Sequence, residues 1–334
     1  MGKRIGFLIN DIADPDNLRL AYWKSRKGKE EKPEVLEFRK QLDANLLSLR
    51  IDILNGNVEV GNYYYFTIHD PKERMICAAP FRQRVLHHAI MNICHTVFER
   101  FQIYDSYATR VGKGQYAALE RAKVYSAKYQ WFCKLDVRKY FDSIDHKVLY
   151  SQLNTKFKDP HLLELFYKII KSYETAPDKG LPIGNLTSQY FANFYLGFAD
   201  HFIKEKLKVN AYVRYMDDMV FWSNDKEFLL NSVKQINDFI VTQLKMNLKP
   251  YCINSVEKGL PFLGYVLLFK DNIRLNKNSK KRFLNKMNLY QLNLENLVWS
   301  QSQYARHVLP LISFTQHSNS VQLRRQVLCK MEAG

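Results

Sequence analysis

The sequence predicts a mixed α+β fold in which a small antiparallel sheet carries acidic residues at its rim and helices cover the rest. Three observations predict it. Tyr215-Met216-Asp217-Asp218 lies between two β-prone runs, Ala211-Tyr212-Val213-Arg214 and Met219-Val220-Phe221-Trp222, the pattern of a hairpin with acids at its tip. A second β-prone stretch, holding Tyr129, Trp131, Phe132 and Leu135, ends at Asp136. Between and beyond these stretches, apolar residues recur at helical spacing, as in Leu86, Ala89, Ile90, Ile93 and Val97.

The elements follow in order. Residues up to Gly61 have helical and loop character, with a charged segment from Ser25 to Lys32 expected to be mobile and a helix expected through Leu36 to Leu49. His87 and His88 fall on the helix around Leu86 and read as surface or hydrogen-bonded core histidines. After the Asp136 strand, Asp142 reads as a turn residue and Asp145 as the cap of a helix through Val148, Leu149 and Leu153. Gly180-Leu181-Pro182-Ile183-Gly184 reads as a flexible loop, with Asn185, Thr187 or Ser188 capping the helix that follows. The hairpin comes next.

A strand-end acid facing a hairpin-tip acid pair has a specific use. Two divalent ions about 3.5 to 4 Å apart need several carboxylate oxygens, and such a pair stabilises the attacking and leaving oxygens of nucleotidyl transfer. Magnesium is held best by a few carboxylates plus substrate phosphates, so Asp136, Asp217 and Asp218 suffice. The expected cofactor is therefore two Mg²⁺ ions, with Mn²⁺ as the alternative.

Composition bounds the partners. Lys and Arg number 50 against 33 Asp and Glu, a formal charge of +17, which favours polyanions through counterion release. A ribosomal or scaffold protein shows the same balance; three acids kept uncompensated inside a cationic chain separate this sequence from that class. Five scattered cysteines without a Cys-x-x-Cys pair suggest neither zinc nor disulfides and fit a reducing cytoplasm. Without a signal peptide or a long apolar run, a membrane location is not expected.

With these motifs in place, the chain resembles the reverse transcriptases of bacteria and phages. The Asp136 segment resembles the first palm motif, Gly184 to Gln189 the second, and Tyr215 to Asp218 the Tyr-x-Asp-Asp motif. Phe262-Leu263-Gly264-Tyr265 resembles the primer-grip turn, while Asp70 to Ile76, Pro80 to Leu86 and Ser106 to Gly114 resemble the fingers. The resemblance implies a right-hand polymerase fold with fingers, an antiparallel palm and a helical thumb. It divides the chain into an N-terminal extension (1–61), interleaved fingers and palm (62–265) and a thumb (266–334), the last opening on Lys270, Arg274, Lys277, Lys280, Lys281, Arg282 and Lys286.

Family members usually carry Gln-Gly and then Ser-Pro in the second motif, where this chain has Ile183-Gly184 and Ser188-Gln189. That departure resembles the reverse transcriptases of diversity-generating retroelements, which copy a template RNA with errors at adenines. An apolar Ile183 near the nascent base pair implies relaxed nucleotide discrimination, since fit and hydrogen bonding there are worth only a few kcal/mol.

The resemblance also assigns roles. Asp136 and Asp217, with Val137 beside them, would hold the metals and Asp218 would support them; all three acids are the expected catalytic residues. Arg74 and Lys72 would meet the triphosphate, where guanidinium binds phosphate bidentately, and Ile183 and Gln189 would line the nucleotide site. Phe141 would crowd a ribose 2′-hydroxyl and so favour deoxynucleotides. Arg82, Arg84, Arg110 and Lys113 are the expected template or phosphate contacts, which the sequence does not rank, Gly264 and Tyr265 join them at the primer, and Lys249 is the nearest candidate for a proton donor to pyrophosphate. Implied partners are template RNA, an RNA/DNA hybrid, dNTPs and a small basic accessory protein. No room remains after the thumb for a ribonuclease H or integrase, so those steps are expected of other proteins. The alternatives are a retron-like, defence or CRISPR-associated enzyme, or a maturase-like RNA-binding protein without chemistry.

Overall fold

A computed structural model describes residues 4–69, 73–268 and 272–332. Lys72, expected at the triphosphate, and Lys270, expected in the thumb, lie outside the described residues. The N-terminal helices are α1 (Ile9–Ile12), α2 (Pro15–Arg26), α3 (Pro33–Lys40) and α4 (Leu42–Asn55). The helix expected across Leu36 to Leu49 is broken at Gln41, whose backbone (φ −125°, ψ 47°) is not helical. The charged segment from Ser25 to Lys32 begins inside α2 and then turns into α3.

Strands β1 (Tyr64–Ile68) and β2 (Arg74–Ala78) form an antiparallel pair, followed by the long α5 (Phe81–Phe101) and α6 (Gln115–Lys128). Then come β3 (Trp131–Leu135), α7 (Tyr140–Ser143), α8 (His146–Asn154), α9 (Pro160–Lys171) and α10 (Leu186–His201). Asp145 caps α8 as its sequence position suggests, accepting a 2.9 Å bond from the Val148 N–H. None of the three residues expected to cap α10 bonds its first turn. Asn185 instead accepts from the Ala79 N–H, and Thr187 shares a 3.0 Å hydrogen bond with the buried His87.

The hairpin strands β4 (Ala211–Tyr215) and β5 (Asp218–Ser223) lead to α11 (Lys226–Leu244), β6 (Cys252–Ser255), β7 (Leu260–Phe262), β8 (Tyr265–Leu268) and β9 (Asn272–Leu275). The central sheet runs β4-β5-β3-β6, antiparallel throughout, and β7-β8-β9 form a separate antiparallel sheet. Helices α12 (Lys277–Glu295), α13 (Gln301–Gln316) and α14 (Val321–Glu332) close the chain. The second sheet straddles residue 265, and the helical structure that follows it begins at Lys277.

Both faces of the central sheet are buried, because successive strand residues point to opposite sides. Cys133, Leu135, Tyr212, Met219 and Phe221 face one core, which they share with α5, α10 and the N-terminal helices. Phe132, Val213, Val220 and Trp222 face a second core against α6. Packing on both sides fixes where the rim of the sheet lies.

Candidate active site

The rim of the sheet is set by register. Tyr215 pairs with Asp218, leaving Met216 and Asp217 as a two-residue turn, and Met216 takes the left-handed conformation such turns need (φ 53°). Leu135 pairs with Met219, so Asp136 leaves β3 beside the tip of the hairpin. The chain after Asp136 is held in turn by residues 247–249: Arg138 N–H donates to Asn247 O and Lys249 N–H to Asp136 O, both at 2.8 Å. Val137 is buried in this ladder opposite Leu248, and its own carbonyl is left outside the pairing.

The three acids therefore meet, but they are not uncompensated as the sequence suggested. Lys249 Nζ donates to Asp136 Oδ2 at 2.7 Å, and Lys134 Nζ reaches Asp218 Oδ1 at 3.1 Å while also bonding the Pro261 carbonyl. Neither lysine is adjacent to its acid in sequence, so only folding pairs them. Among the described residues, no ammonium pairs with Asp217 in this way. Burial, and next the neighbouring Asp136 charge, push its carboxyl up to about 6, against about 3.8 for an ordinary aspartate. Asp136 Oδ1 is buried and, among the described residues, without a hydrogen-bond partner.

A buried, unpartnered carboxylate oxygen beside a carboxylate that resists ionisation is a site short of positive charge. The donor set fits a hard divalent cation held by Asp136 and Asp217. Behind the tip lies a feature that the sequence reading missed. Arg214, fully buried, forms a bidentate pair with the fully buried Asp200, bonds Asn193, and donates to the Met216 carbonyl at 3.1 Å. Its only signal in the sequence is a charge within an otherwise apolar strand run.

Other expected residues divide. Phe141 is half-buried against Tyr140, and its carbonyl accepts from Leu181 N–H, which ties the region after Asp136 to the Gly180–Gly184 loop. Ile183 is half-buried and its carbonyl accepts from Cys77 N–H in β2 at 2.8 Å. Gly184 needs to be glycine: its φ is 118°, and an added Cβ would lie 2.9 Å from Ile76. Arg74 and Gln189 are exposed, Arg74 at the start of β2 and Gln189 in the first turn of α10.

The expected template contacts mostly turn inward. Arg110 is nearly buried, paired with Glu99 and donating to the Ile103 and Ser106 carbonyls. Arg82 pairs with Asp52 and Arg84 with Glu34, both acids on the N-terminal helices. Lys113 lies 3.5 Å over the Tyr104 ring and donates to the Tyr104 carbonyl. Tyr265 is fully buried, its hydroxyl on Phe314 O at 2.6 Å, so it anchors α13 instead of standing open to a primer. Gly264 sits in the same turn at φ 91°, where a side chain is strained and an added Cβ would lie 3.0 Å from Phe314 and from Ser279.

An antiparallel sheet with an acid-tipped hairpin beside a strand-end acid, flanked by a two-stranded finger and followed by helices, is the palm of a right-hand polymerase. The chain belongs to the reverse transcriptase family: residues 69–267, more than half of its length, match the family described as reverse transcriptase (RNA-dependent DNA polymerase). It is 27% identical over 152 residues to the group II intron-encoded protein LtrA of Lactococcus lactis, covering 43% of this chain and 25% of that one. It is 28% identical over 173 residues to the retron Ec73 reverse transcriptase of Escherichia coli, covering 47% and 54%. Protein YkfC of Escherichia coli is 21% identical over 277 residues, covering 69% and 73%. The chain thus spans about a quarter of the length of LtrA. A solved telomerase structure from Candida albicans aligns with a TM-score of 0.47 and 12% identity, over 81% of this chain and 55% of that one. Among the described residues, no helix is long and apolar enough to cross a membrane.

Proposed function

We propose that the chain is an RNA-directed DNA polymerase that extends a primer 3′-hydroxyl with deoxynucleotides, and that it serves a diversity-generating retroelement. The observation that carries the polymerase reading is the charge-deficient pocket, where Asp217 is held near pH 6 and Asp136 keeps an unpartnered oxygen. Two divalent ions bound there would polarise the attacking hydroxyl and neutralise the triphosphate.

Asp136 and Asp217 bind the ions, the Val137 carbonyl is placed to assist, and Asp218, tethered to Lys134, supports the pair. Lys249 balances Asp136 until the ions arrive. Exposed Arg74, at the mouth of β1–β2, suits the triphosphate, with Lys72 nearby in sequence. Phe141 limits the space for a ribose 2′-hydroxyl, and Ile183 and Gln189 line the base side. Lys113 and the Gly264 turn are the remaining template and primer contacts. In this reading residues 1–61 extend the fingers, 62–265 form fingers and palm, and 266–334 form the thumb.

Support for the retroelement role is the Ile183-Gly184 and Ser188-Gln189 signature. Ile183 presents an apolar, half-buried side chain on a loop fixed to β2, so the nascent pair meets a rigid wall with no hydrogen-bonding group. Its partners in this role are a template RNA, the RNA/DNA hybrid, and a small basic accessory protein.

Primer extension on an RNA template with Mg²⁺, with dNTPs against NTPs and the cDNA sequenced, tests both levels. Synthesis restricted to dNTPs, absent in Asp217→Ala and carrying errors opposite template adenines, is the expected result. Accurate cDNA would leave a polymerase of the retron or intron kind, and no Asp217-dependent synthesis with cognate RNA and partner would leave an RNA-binding scaffold.

A further inference from the structure

Away from the palm acids, His146, Glu174 and Asp178 bring three donor atoms within 4.8 Å of one another. The geometry points to a second, transition-metal site here, of the Zn²⁺ class, that staples the loop leading to Ile183.

The histidine carries the argument. His146 is 2% exposed, and its Nε2 makes a 2.7 Å hydrogen bond to the Gly180 carbonyl. A carbonyl only accepts, so Nε2 bears the proton and Nδ1 is left with a bare lone pair. That Nδ1 is buried and lacks a hydrogen-bond partner among the described residues, with Glu174 Oε1 3.8 Å away. Metal-binding imidazoles are oriented in this way, one ring nitrogen donating to a backbone carbonyl and the other aimed at the ion. A separation of 3.8 Å between two donors is too long for a hydrogen bond, and a closure of about half an ångström would bring it to the roughly 3.3 Å between two ligands about 2 Å from one tetrahedral ion.

The backbone holds the third donor in place. His146 N–H donates to the Asp178 carbonyl at 2.9 Å, and Asp178 sits at φ 57° in the turn closed by Lys179 N–H on Ala176 O. The carboxylates already attract cations: Lys171 pairs with both Glu174 and Asp178, and Lys147 pairs with Asp178 at 2.8 Å. The Lys147 side chain is 75% exposed and that of Lys171 32%, so each can swing into water when a dication takes its place. An imidazole with two carboxylates suits Zn²⁺, whereas Mg²⁺ prefers an all-oxygen shell with retained water. The two sites therefore select different ions.

The position gives the ion a purpose. Gly180 N–H donates to Ile144 O and Leu181 N–H to Phe141 O, so the residues fixed by His146 run directly into the loop of Ile183 and along the segment of Phe141. An ion at His146 would stiffen the floor beneath both side chains.

The test is titration of chelator-stripped full-length protein with Zn²⁺ in Mg²⁺ buffer, followed by calorimetry and thermal denaturation, with Co²⁺ absorption to report tetrahedral nitrogen and oxygen ligation. One equivalent should bind and raise Tm. Affinity should fall about tenfold or more in Glu174→Gln and Asp178→Asn, side chains that are exposed and half-buried respectively and can change without unfolding the chain. It should rise in Lys171→Ala and stay unchanged in Asp217→Asn. Absence of a saturable site overturns the proposal and leaves His146 Nδ1 to a proton. So does Zn²⁺ binding that is indifferent to Glu174 and Asp178, or that is lost with Asp217.

Discussion

Two clusters of charge lie within one turn of each other, at the tip of the β4–β5 hairpin and just behind it, and they are built on opposite terms. Arg214 and Asp200 are both fully buried, yet the guanidinium finds two carboxylate oxygens, Asn193 and backbone carbonyls, and Tyr212 completes Asp200. At the tip, Asp217 is held near 6 and Asp136 keeps an oxygen without a partner. A buried network with every group satisfied is rigid and inert, whereas one left short of charge is poised to take something up. The first cluster holds the turn so that the second can remain unsatisfied.

The largest expected effect separates the two. Asp217→Asn should reduce DNA synthesis by about a thousandfold or more, the rate equivalent of losing several kcal/mol of metal-assisted stabilisation. The metal-free variant should melt no lower than the parent, because a carboxylate that resists ionisation has been removed. Loss of both activity and Tm would show that the tip is structural as well.

Arg214→Met should act the other way round. It strands Asp200 as an unpaired buried charge, at a cost of about 3–5 kcal/mol in urea unfolding. The double variant Arg214→Met with Asp200→Leu should recover much of that loss. If the single variant is as stable as the parent, the pair is not what holds Met216.

pH sharpens the comparison further. The folded pKa of Asp217 is about 6 and the unfolded value near 3.8, so the folded chain binds this proton more tightly. The associated stability is fully present below about pH 4 and is lost as pH rises through about 6, a change of at most about 3 kcal/mol. Mg²⁺ competes with the same proton, so its half-saturating concentration for activity should rise as pH falls below about 6. Thermal denaturation with and without Mg²⁺ should show the larger stabilisation above that pH, and Asp217→Asn should flatten both trends.

The smallest effect concerns Lys249, whose side chain is 41% exposed. Lys249→Ala should cost no more than about 1 kcal/mol of stability, as surface pairs do. By removing a competing ammonium from Asp136, it should also lower the Mg²⁺ half-saturation a few-fold. A Mg²⁺ titration that does not move would show that the lysine leaves the site undisturbed.

Much of the site was legible because its signals are local. Two β-prone runs on either side of Tyr215 to Asp218 place a hairpin tip there, which the register narrows to a Met216-Asp217 turn, a strand ending at Asp136 follows from its apolar neighbours, and Asp145 caps the helix that follows it. Arg110 was not legible: beside Lys113 in a basic segment it reads as a template contact, and only the return of α5 places Glu99 against it. Tyr265 reads as part of an open turn until α13 packs over it. The break between α3 and α4 at Gln41 was missed because apolar spacing continues across it.

By itself, then, the sequence determined the acid-tipped hairpin, the strand that ends at Asp136 and the helix capped by Asp145, since turn chemistry, apolar period and capping act over a few residues. Tertiary structure alone decided the state of those acids. Lys249 lies 113 residues from Asp136, and Lys134 reaches Asp218 only because β3 and β5 are neighbours in the sheet. Arg214 became a brace for the turn only when α10 brought Asp200 and Asn193 to it. Charge is a property of the residue, but its partner and its burial belong to the packing of segments far apart in the chain.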